Sequence, residues 1–204
     1  PAGLGLFRKS KAETSFGLVN QQDVHKFSSL GKTNVSFDQA GFVYSLRNGR
    51  NSFLNFGFNY HKSRNFDQIL NASGSLSNAS QNKLTYQKFR NNVITQPTDM
   101  TYSQVDNLYY NNLIYNSTDK AYYNYPATDY RFNQQSKGYI GEYDFNISGN
   151  IQDRIYLGLT FGIHDVHYKG YSEYSENYAT NNANIDGSTL ADNREITGTG
   201  YDVK

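Results

Sequence analysis

Residues 139–163 read YIGEYDFNISGNIQDRIYLGLTFGI, and their regular alternation decides the fold. In the first half the odd positions are mostly apolar and the even positions mostly polar. After a polar break at 150–153, apolar side chains recur at every second position from Ile155 to Ile163. Because successive side chains of a strand point to opposite faces, this pattern predicts two half-buried strands joined by a tight turn. One face of the predicted sheet is apolar and the other is polar.

The composition argues against a conventional soluble core. Only 37% of the 204 residues are hydrophobic and the mean hydropathy is -0.75, yet 16% are aromatic. A soluble domain of this length usually distributes Leu, Ile, Val and Ala along the whole chain. Here the apolar residues concentrate in short alternating segments separated by stretches rich in Asn, Ser and Tyr. The apolar surface is therefore expected to form narrow bands.

Charge and cysteine content exclude several functional classes. The net charge is +1, which gives no basic field for nucleic acid. Cysteine is absent, which removes disulfide scaffolds, zinc-thiolate clusters and thiol catalysis. The sequence contains no nucleophile elbow, phosphate loop or zinc-protease signature. We predict a protein that is not an enzyme and that carries neither cofactor nor metal.

The connections between the predicted strands alternate in length. Strands are expected at about 13–19, 34–46, 52–62, 138–148 and 154–168, with a sixth beginning at 198. Two connections are short: RNGRN at 47–51, where Asn48-Gly49 favours a type I′ turn, and GNIQD at 149–153. The others are long, at about 20–33, 63–137 and 169–197. Every second connection of an antiparallel sheet lies at the same end, so one end carries tight turns and the other carries large polar loops. This asymmetry is typical of an outer-membrane β-barrel.

One strand contains a break in the alternation. Val35 and Phe37 are out of phase with Phe42, which predicts a β-bulge near 39–41. The predicted strands reach the roughly 9–11 residues that a tilted membrane strand needs. Six strands cannot close a barrel, which has at least about eight, so we expect the remaining strands beyond Lys204.

Three segments resemble a known family: PAGLGLFR at 1–8, SKGYIGEYDFNISGNIQDRIYLGLTFGIHDVHYKG at 136–170 and GTGYDVK at 198–204. They are similar to the Bacteroidetes branch of the FadL/TodX/OmpP1 outer-membrane transporters of hydrophobic compounds, some of whose members are labelled hemin receptors. The resemblance implies a 14-stranded barrel, of which this chain covers about the first six strands. An N-terminal hatch in this family ends near an Asn-Pro-Ala signature, and Pro1 and Ala2 match its last two positions. Residues 1–12 would then end the hatch and 13–204 would form the first part of the barrel.

The resemblance also implies a transport path. A hydrophobic ligand would be captured by extracellular loops, pass the hatch and leave sideways through the barrel wall. The phase slip near 39–41 could mark that opening, although an ordinary bulge is the simpler interpretation.

The alternation assigns side chains to the two faces of the predicted barrel. Residues expected to line the lumen are Asn55, Asn59, Glu142, Asp144, Asn146 and Thr160. Residues expected to face lipid are Phe56, Phe58, Phe145, Leu157, Leu159 and Phe161. A polar lumen explains the pair Glu142 and Asp144 without catalysis. His61 is likewise interpreted as a lumen-lining residue, and His164 and His167 are expected on opposite faces of their strand, which prevents joint ligation of a metal.

A helix is predicted within the longest connection, from about Gln104 to Tyr115. An apolar stripe recurs along it at helical spacing: Val105, Leu108, Tyr109 and Leu113. The stripe is either a capture site for a hydrophobic ligand or a surface that packs the loop, and the packing role is favoured because amphipathic helices mostly bury their stripe.

Three functional hypotheses remain at this point. The leading one is passive uptake of hydrophobic small molecules, of the fatty-acid or aromatic type, through a bacterial outer membrane. The second is a barrel of the same fold that acts as a scaffold or secretion partner without transport. The third is a soluble, Tyr-rich β-sandwich that binds glycans or proteins. The expected partners are outer-membrane lipid and a hydrophobic ligand, with the extracellular loops as candidate sites for a protein partner.

Overall fold

The computed structural model describes residues 2–26, 30–95, 103–116, 118–179 and 186–204. A 3₁₀-helix Ala2–Leu6 precedes β1 (Lys11–Asn20), β2 (Thr33–Arg47), β3 (Phe53–Asn65), β4 (Gln68–Ala79), α1 (Gln81–Arg90), α2 (Gln104–Tyr109), a π-helix Tyr110–Ile114, β5 (Tyr115–Asn116), β6 (Ala121–Tyr122), β7 (Ala127–Ile151), β8 (Ile155–Tyr178) and β9 (Gly187–Val203). None of the described helices is long and apolar enough to cross a membrane.

Most of the described strands join one sheet in the order β1-β2-β3-β7-β8-β9, with β4 also paired to β7. The pairs β1–β2, β2–β3 and β3–β7 are antiparallel. The prediction of an all-β, antiparallel fold is confirmed. Within the described residues, however, this sheet does not close into a barrel.

The chain divides into two compact units. Unit 1 comprises Pro1–Ile69, Gln135–Tyr171 and Asn193–Lys204, and unit 2 comprises Leu70–Gln134 and Ser172–Asp192. Unit 1 contains the alternating segments from which the strands were predicted. Unit 2 contains both α-helices.

Several predicted boundaries are wrong, because the strands run further than their apolar alternation. The strand expected at 138–148 is Ala127–Ile151, that expected at 154–168 is Ile155–Tyr178, and the one expected to begin at 198 begins at Gly187. The connection expected at 63–137 contains β4, α1 and α2 and the start of β7, and that expected at 169–197 is mostly strand. The added residues are mostly polar or aromatic on both faces, so no period of two marks them as strand.

The phase slip in β2 corresponds to a β-bulge. Ser15 pairs with Gln39 while Phe16 pairs with Phe37, so Asp38 is the extra residue. The bulge is therefore present, one residue before the predicted stretch at 39–41. Because of it, Phe37 lies opposite Phe16 and their rings meet edge to face at 5.4 Å.

The two tight turns differ from expectation in their geometry. Residues 48–52 join β2 to β3, with the Asn48 N–H donating to Ser52 O at 2.8 Å, and Gly49 has φ +110°. Asn48 has no positive φ, so the predicted type I′ turn is not formed there. The left-handed pair lies instead at Gln152 (φ +52°) and Asp153 (φ +55°), where Arg154 N donates to Ile151 O. Two positive φ values in a two-residue loop are typical of a type I′ turn.

Unit 2 is held together by buried polar groups as well as by apolar packing. Glu176 is 2% exposed and accepts hydrogen bonds from Gln81 N (2.9 Å) and Ser80 Oγ (2.6 Å), at the N-terminus of α1. This carboxylate satisfies a donor that the helix itself leaves unpaired. A small apolar cluster lies in the same unit: Tyr109, Leu113, Ala127 and Tyr178, with Leu76, Tyr125 and Leu190 packed against it.

Asp106 links the two helices of unit 2. Its side chain is part of a capping box with Ser103 and also accepts hydrogen bonds from Thr85 Oγ1 and Lys88 Nζ, each at 2.8 Å. Burial opposes ionisation of this carboxyl, but the hydrogen bonds from Lys88, Thr85 and Ser103 outweigh burial and hold the pKa of Asp106 below its usual value. The carboxylate is therefore ionised where it joins α1 to α2.

The left-handed turn at Gln152 and Asp153 predicts a stabilising substitution. A residue with a Cβ in this conformation costs roughly 1–2 kcal/mol, whereas glycine adopts it without that penalty. Gln152→Gly should raise the free energy of unfolding by about 0.5–1 kcal/mol, measured by urea denaturation. Gln152→Ala is the control, because it retains the Cβ and should give no gain. An equal gain from both variants would contradict the strain argument.

Candidate functional site

One face of the unit 1 sheet is apolar and exposed. We call this the apolar face, and its members include Phe42, Leu54, Phe56, Phe58, Phe145, Ile147, Leu157, Leu159, Phe161 and Tyr201. Leu157 is 64% exposed and Leu159 is 58% exposed. The rings of Phe42, Phe58 and Phe145 form a ladder across β2, β3 and β7, with centroids 5.9 and 5.2 Å apart. The structure thus places all six predicted lipid-facing residues on this face, and Phe58 is half-buried between its aromatic neighbours.

The opposite face of the same sheet is polar and largely buried. We call this the polar face, and it includes Asn55, Asn59, His61, Glu142, Asp144, Asn146, Ser148, Asn150, Thr160 and His164. Asn55 is fully buried, and Asn146 is 5% exposed and donates through Nδ2 to Thr160 Oγ1 at 2.7 Å. All six predicted lumen-lining residues lie here, of which Asn59, Glu142 and Asp144 are half-buried.

The N-terminal segment covers part of the polar face. The side-chain amide of Asn55 donates to Leu4 O (2.6 Å) and Phe7 O (3.1 Å), and that of Asn150 donates to Gly5 O (2.9 Å). Gly5 lies so close to β7 that an added Cβ would meet Gly149 O at 2.9 Å. The segment is therefore held through its backbone. Ala2, one of the two predicted hatch-motif residues, belongs to this segment, and Pro1 lies outside the described residues.

A cavity of about 630 Å³ lies between this segment and the sheet. Its lining is mixed: Leu4 and Phe7 are apolar, whereas Asn59, Asp144 and Asn146 from the polar face contribute amides and a carboxylate. Lys11 and Glu13 of β1 add charged groups to the wall. Mixed linings of this size suit a small amphiphilic molecule.

A group of titratable side chains from four strands, β3, β7, β8 and β9, meets beside the cavity. His61 Nε2 lies 3.3 Å from Glu142 Oε2, and His61 Nδ1 lies 3.9 Å from Asp144 Oδ2. His164 lies 3.5 Å from Glu142 through Nδ1 and 3.5 Å from Asp202 through Nε2. The sequence did not predict this group, because it depends on the register that pairs His61 with Glu142. His167 bonds to Asp165 instead, so it does not join His164.

The predicted helical stripe divides into a buried and an exposed half. Tyr109 and Leu113 are 1% and 6% exposed within the apolar cluster of unit 2, whereas Val105 and Leu108 are 40% and 37% exposed. The helix itself extends over 104–114, close to the predicted 104–115, but widens into a π-helix after Tyr109. Packing therefore accounts for Tyr109 and Leu113. A surface role remains open for Val105 and Leu108.

Comparison of the chain with protein-family models, curated proteins and solved structures found no match.

The two halves of the stripe predict different stability effects. Leu113→Ala should destabilise unit 2 by about 2–4 kcal/mol, because it removes a buried side chain and leaves a cavity. Leu108→Ala should change the free energy of unfolding by no more than about 0.5 kcal/mol, as is usual for exposed positions. Chemical denaturation followed by circular dichroism would measure both. Equal losses would show that Leu108 is also packed.

Proposed function

We propose that this chain forms part of a bacterial outer-membrane β-barrel, of the FadL-like 14-stranded type, that admits hydrophobic small molecules passively. The observation that carries the proposal is the contrast between the two faces of the unit 1 sheet. Leu157 and Leu159 are exposed on one face, while Asn55 and Thr160 are buried on the other. A water-soluble sheet has the reverse arrangement, because apolar side chains gain roughly 25 cal/mol per Å² when they leave water.

Lipid as the surrounding solvent accounts for this contrast. Hydrocarbon accepts the exposed apolar face without cost, and the lumen of a barrel accepts the polar face. Apolar patches of more than a few hundred Å² on a soluble protein usually mark an interaction surface. Within the described residues no second sheet covers the apolar face, so the β-sandwich hypothesis has no structural support.

The proposal requires closure of the sheet by further strands. β1 and β9 lie at the two ends of the strand order. In hydrocarbon an unpaired edge leaves N–H and C=O groups without partners, at a cost of several kcal/mol for each group. Additional strands between β9 and β1 would remove both edges.

The ligand path is proposed to begin outside the barrel and to include the cavity. We assign the long connections after β3 and β8 to the extracellular side, because in the chain they alternate with the tight turns at 48–52 and 152–154. A ligand tail would contact Leu4 and Phe7 in the cavity. The Ala2–Leu6 segment would act as the hatch.

A polar region between β2 and β3, next to the bulge of β2, is a candidate exit for the ligand. The described pairing of β2 with β3 begins at Gln39↔His61, so residues 33–38 diverge from β3. Lys62 Nζ donates to Ser36 Oγ at 2.9 Å across this divergence, and Ser36 bonds to Asp38. In this region a side-chain hydrogen bond therefore links β2 to β3 where no backbone pairing between them is described.

The scaffold hypothesis remains the alternative, since an exposed pair such as Val105 and Leu108 also suits a protein partner. Transport measurements distinguish the two hypotheses. Loss of ligand uptake on changing these residues supports capture. An unchanged rate would favour the scaffold.

Arginine substitutions on the two faces test the membrane assignment. Leu159→Arg should cost about 2–4 kcal/mol of folding free energy in lipid vesicles, because the charge would lie in hydrocarbon. Asn59→Arg, on the cavity side, should cost much less. In aqueous solution an exposed position such as 159 tolerates substitution within about 0.5 kcal/mol. A neutral Leu159→Arg in vesicles would therefore refute the lipid-facing assignment.

Polar substitutions in unit 2 test the capture step. Val105→Ser with Leu108→Ser should slow uptake of a fluorescent long-chain fatty acid by about tenfold, because losing about 1.4 kcal/mol of apolar contact lowers affinity by that factor. Leu84→Ser is the matched control, since Leu84 is a 60% exposed leucine of α1 outside the stripe. Heat-modifiability on gels would confirm that every variant is folded. Equal uptake by all variants would contradict the capture role.

A further inference from the structure

The titratable group on the polar face has no role in the transport hypothesis. His61, Glu142 and Asp144 each offer one ligand atom, and these three atoms lie within 4.8 Å of one another. They come from two neighbouring strands, because His61 is paired with Glu142 and Asn59 with Asp144 in the β3–β7 register. The sheet itself therefore fixes their positions. We propose that His61, Glu142 and Asp144 bind a divalent transition-metal ion of the Zn²⁺ type.

The distances within the group leave room for an ion, and His61 Nδ1 meets the Asn59 side-chain amide at 3.2 Å while Nε2 faces Glu142. Charge-assisted hydrogen bonds between such groups are about 2.7–2.9 Å long. His61 and Glu142 are 3.3 Å apart, and His61 and Asp144 are 3.9 Å apart. By contrast, His167 Nε2 lies 2.8 Å from Asp165 Oδ2, which is a complete hydrogen bond. Ligands of a tetrahedral zinc ion are about 3.4 Å apart, so small side-chain movements would suffice to close the site.

The charge of the group also calls for a cation. Lys204 Nζ lies 2.9 Å from Asp202 Oδ2 and so pairs with that carboxylate. Glu142 faces the imidazoles of His61 and His164, and Asp144 faces that of His61. The Oδ1 atom of Asp144 is buried without a hydrogen-bond donor within the described part of the chain. A buried carboxylate oxygen without a donor is costly, and a divalent ion would compensate the charge of both carboxylates.

The ligand types restrict which ion fits. One imidazole nitrogen and two carboxylate oxygens suit Zn²⁺ and similar borderline ions better than Ca²⁺, which prefers six to eight oxygen ligands. Three protein ligands would leave a fourth position open. Asp144 also lines the 630 Å³ cavity, so the open position would adjoin the space proposed for the ligand.

His164 is inferred to position the site without binding the ion. Its Nδ1 lies 3.5 Å from Glu142 Oε1, while Glu142 faces His61 through the other oxygen, Oε2. Its Nε2 faces Asp202, which is in turn held by Lys204. Such outer contacts orient a metal-binding carboxylate, and their removal typically lowers metal affinity by 10–100-fold.

Zinc titration of the chelator-treated, untagged protein in detergent micelles tests the site, with a chromophoric chelator as competitor. The wild-type protein should bind one Zn²⁺ per chain. His61→Ala and Glu142→Gln should each weaken binding more than tenfold, and His164→Ala about tenfold. His167→Ala is the matched control, because His167 lies three residues further along β8 and is bonded to Asp165. Its affinity should equal that of the wild type.

Two outcomes would overturn the proposal: a wild-type affinity no higher than that of the His61→Ala, Glu142→Gln double variant, or an equal loss in His167→Ala. Because a substitution on the polar face could prevent folding, the wild-type protein is also titrated with Co²⁺. Intense visible absorption is expected for a low-coordinate site, and the weak spectrum of a hydrated ion would also overturn the proposal. These measurements do not depend on fatty-acid uptake, so the metal site and the transport function can fail separately.

Discussion

The side-chain amide of Asn55 is the contact on which the arrangement of unit 1 depends. It is fully buried and donates to two backbone carbonyls of the N-terminal segment, at Leu4 and Phe7. Removing it would leave two buried acceptors with less than their full hydrogen bonding, at a cost of roughly 1–3 kcal/mol for each group. Through this contact the polar face holds a short segment of chain by its backbone. The apolar side chains of the same strands then remain on the exposed face, as the proposed membrane environment requires.

Unit 2 is stabilised differently, by carboxyl groups that accept hydrogen bonds at helix ends. Glu176 caps α1, and Asp106 joins α2 to Lys88 of α1. A buried carboxylate is tolerated only when hydrogen bonds replace its hydration, and both residues have several such bonds. The helical insert can therefore fold with a small apolar cluster. Val105 and Leu108 remain exposed and are available for contact with another molecule.

The sequence predicts unit 1 better than unit 2. Alternation between Leu157 and Thr160 reveals both faces of a strand, so the sequence could divide these side chains between an apolar and a polar face. The alternation does not reveal that β7 begins as early as Ala127, because Tyr, Asn and Gln occupy both faces over 127–138. Nor could it find the metal-binding group, since the approach of His61 to Glu142 depends on a pairing between segments far apart in the chain. The tight turn at 149–153 is predicted, but its left-handed geometry at Gln152 and Asp153 is not, because neither residue is the Asn or Gly that usually adopts it.

The pairing of β3 with β7 has a consequence for the order of folding. Phe53 and Asn150 are 97 residues apart, whereas the β2–β3 and β7–β8 pairs need only short turns to meet. Closing a long loop costs conformational entropy before the contacts between its ends can form and compensate it. Chains with pairings between distant residues therefore fold slowly. The two local hairpins should therefore form first, and collapse of residues 70–134 into unit 2 should shorten the remaining search. In this view the helical insert acts as an assembly aid that brings two preformed hairpins into register.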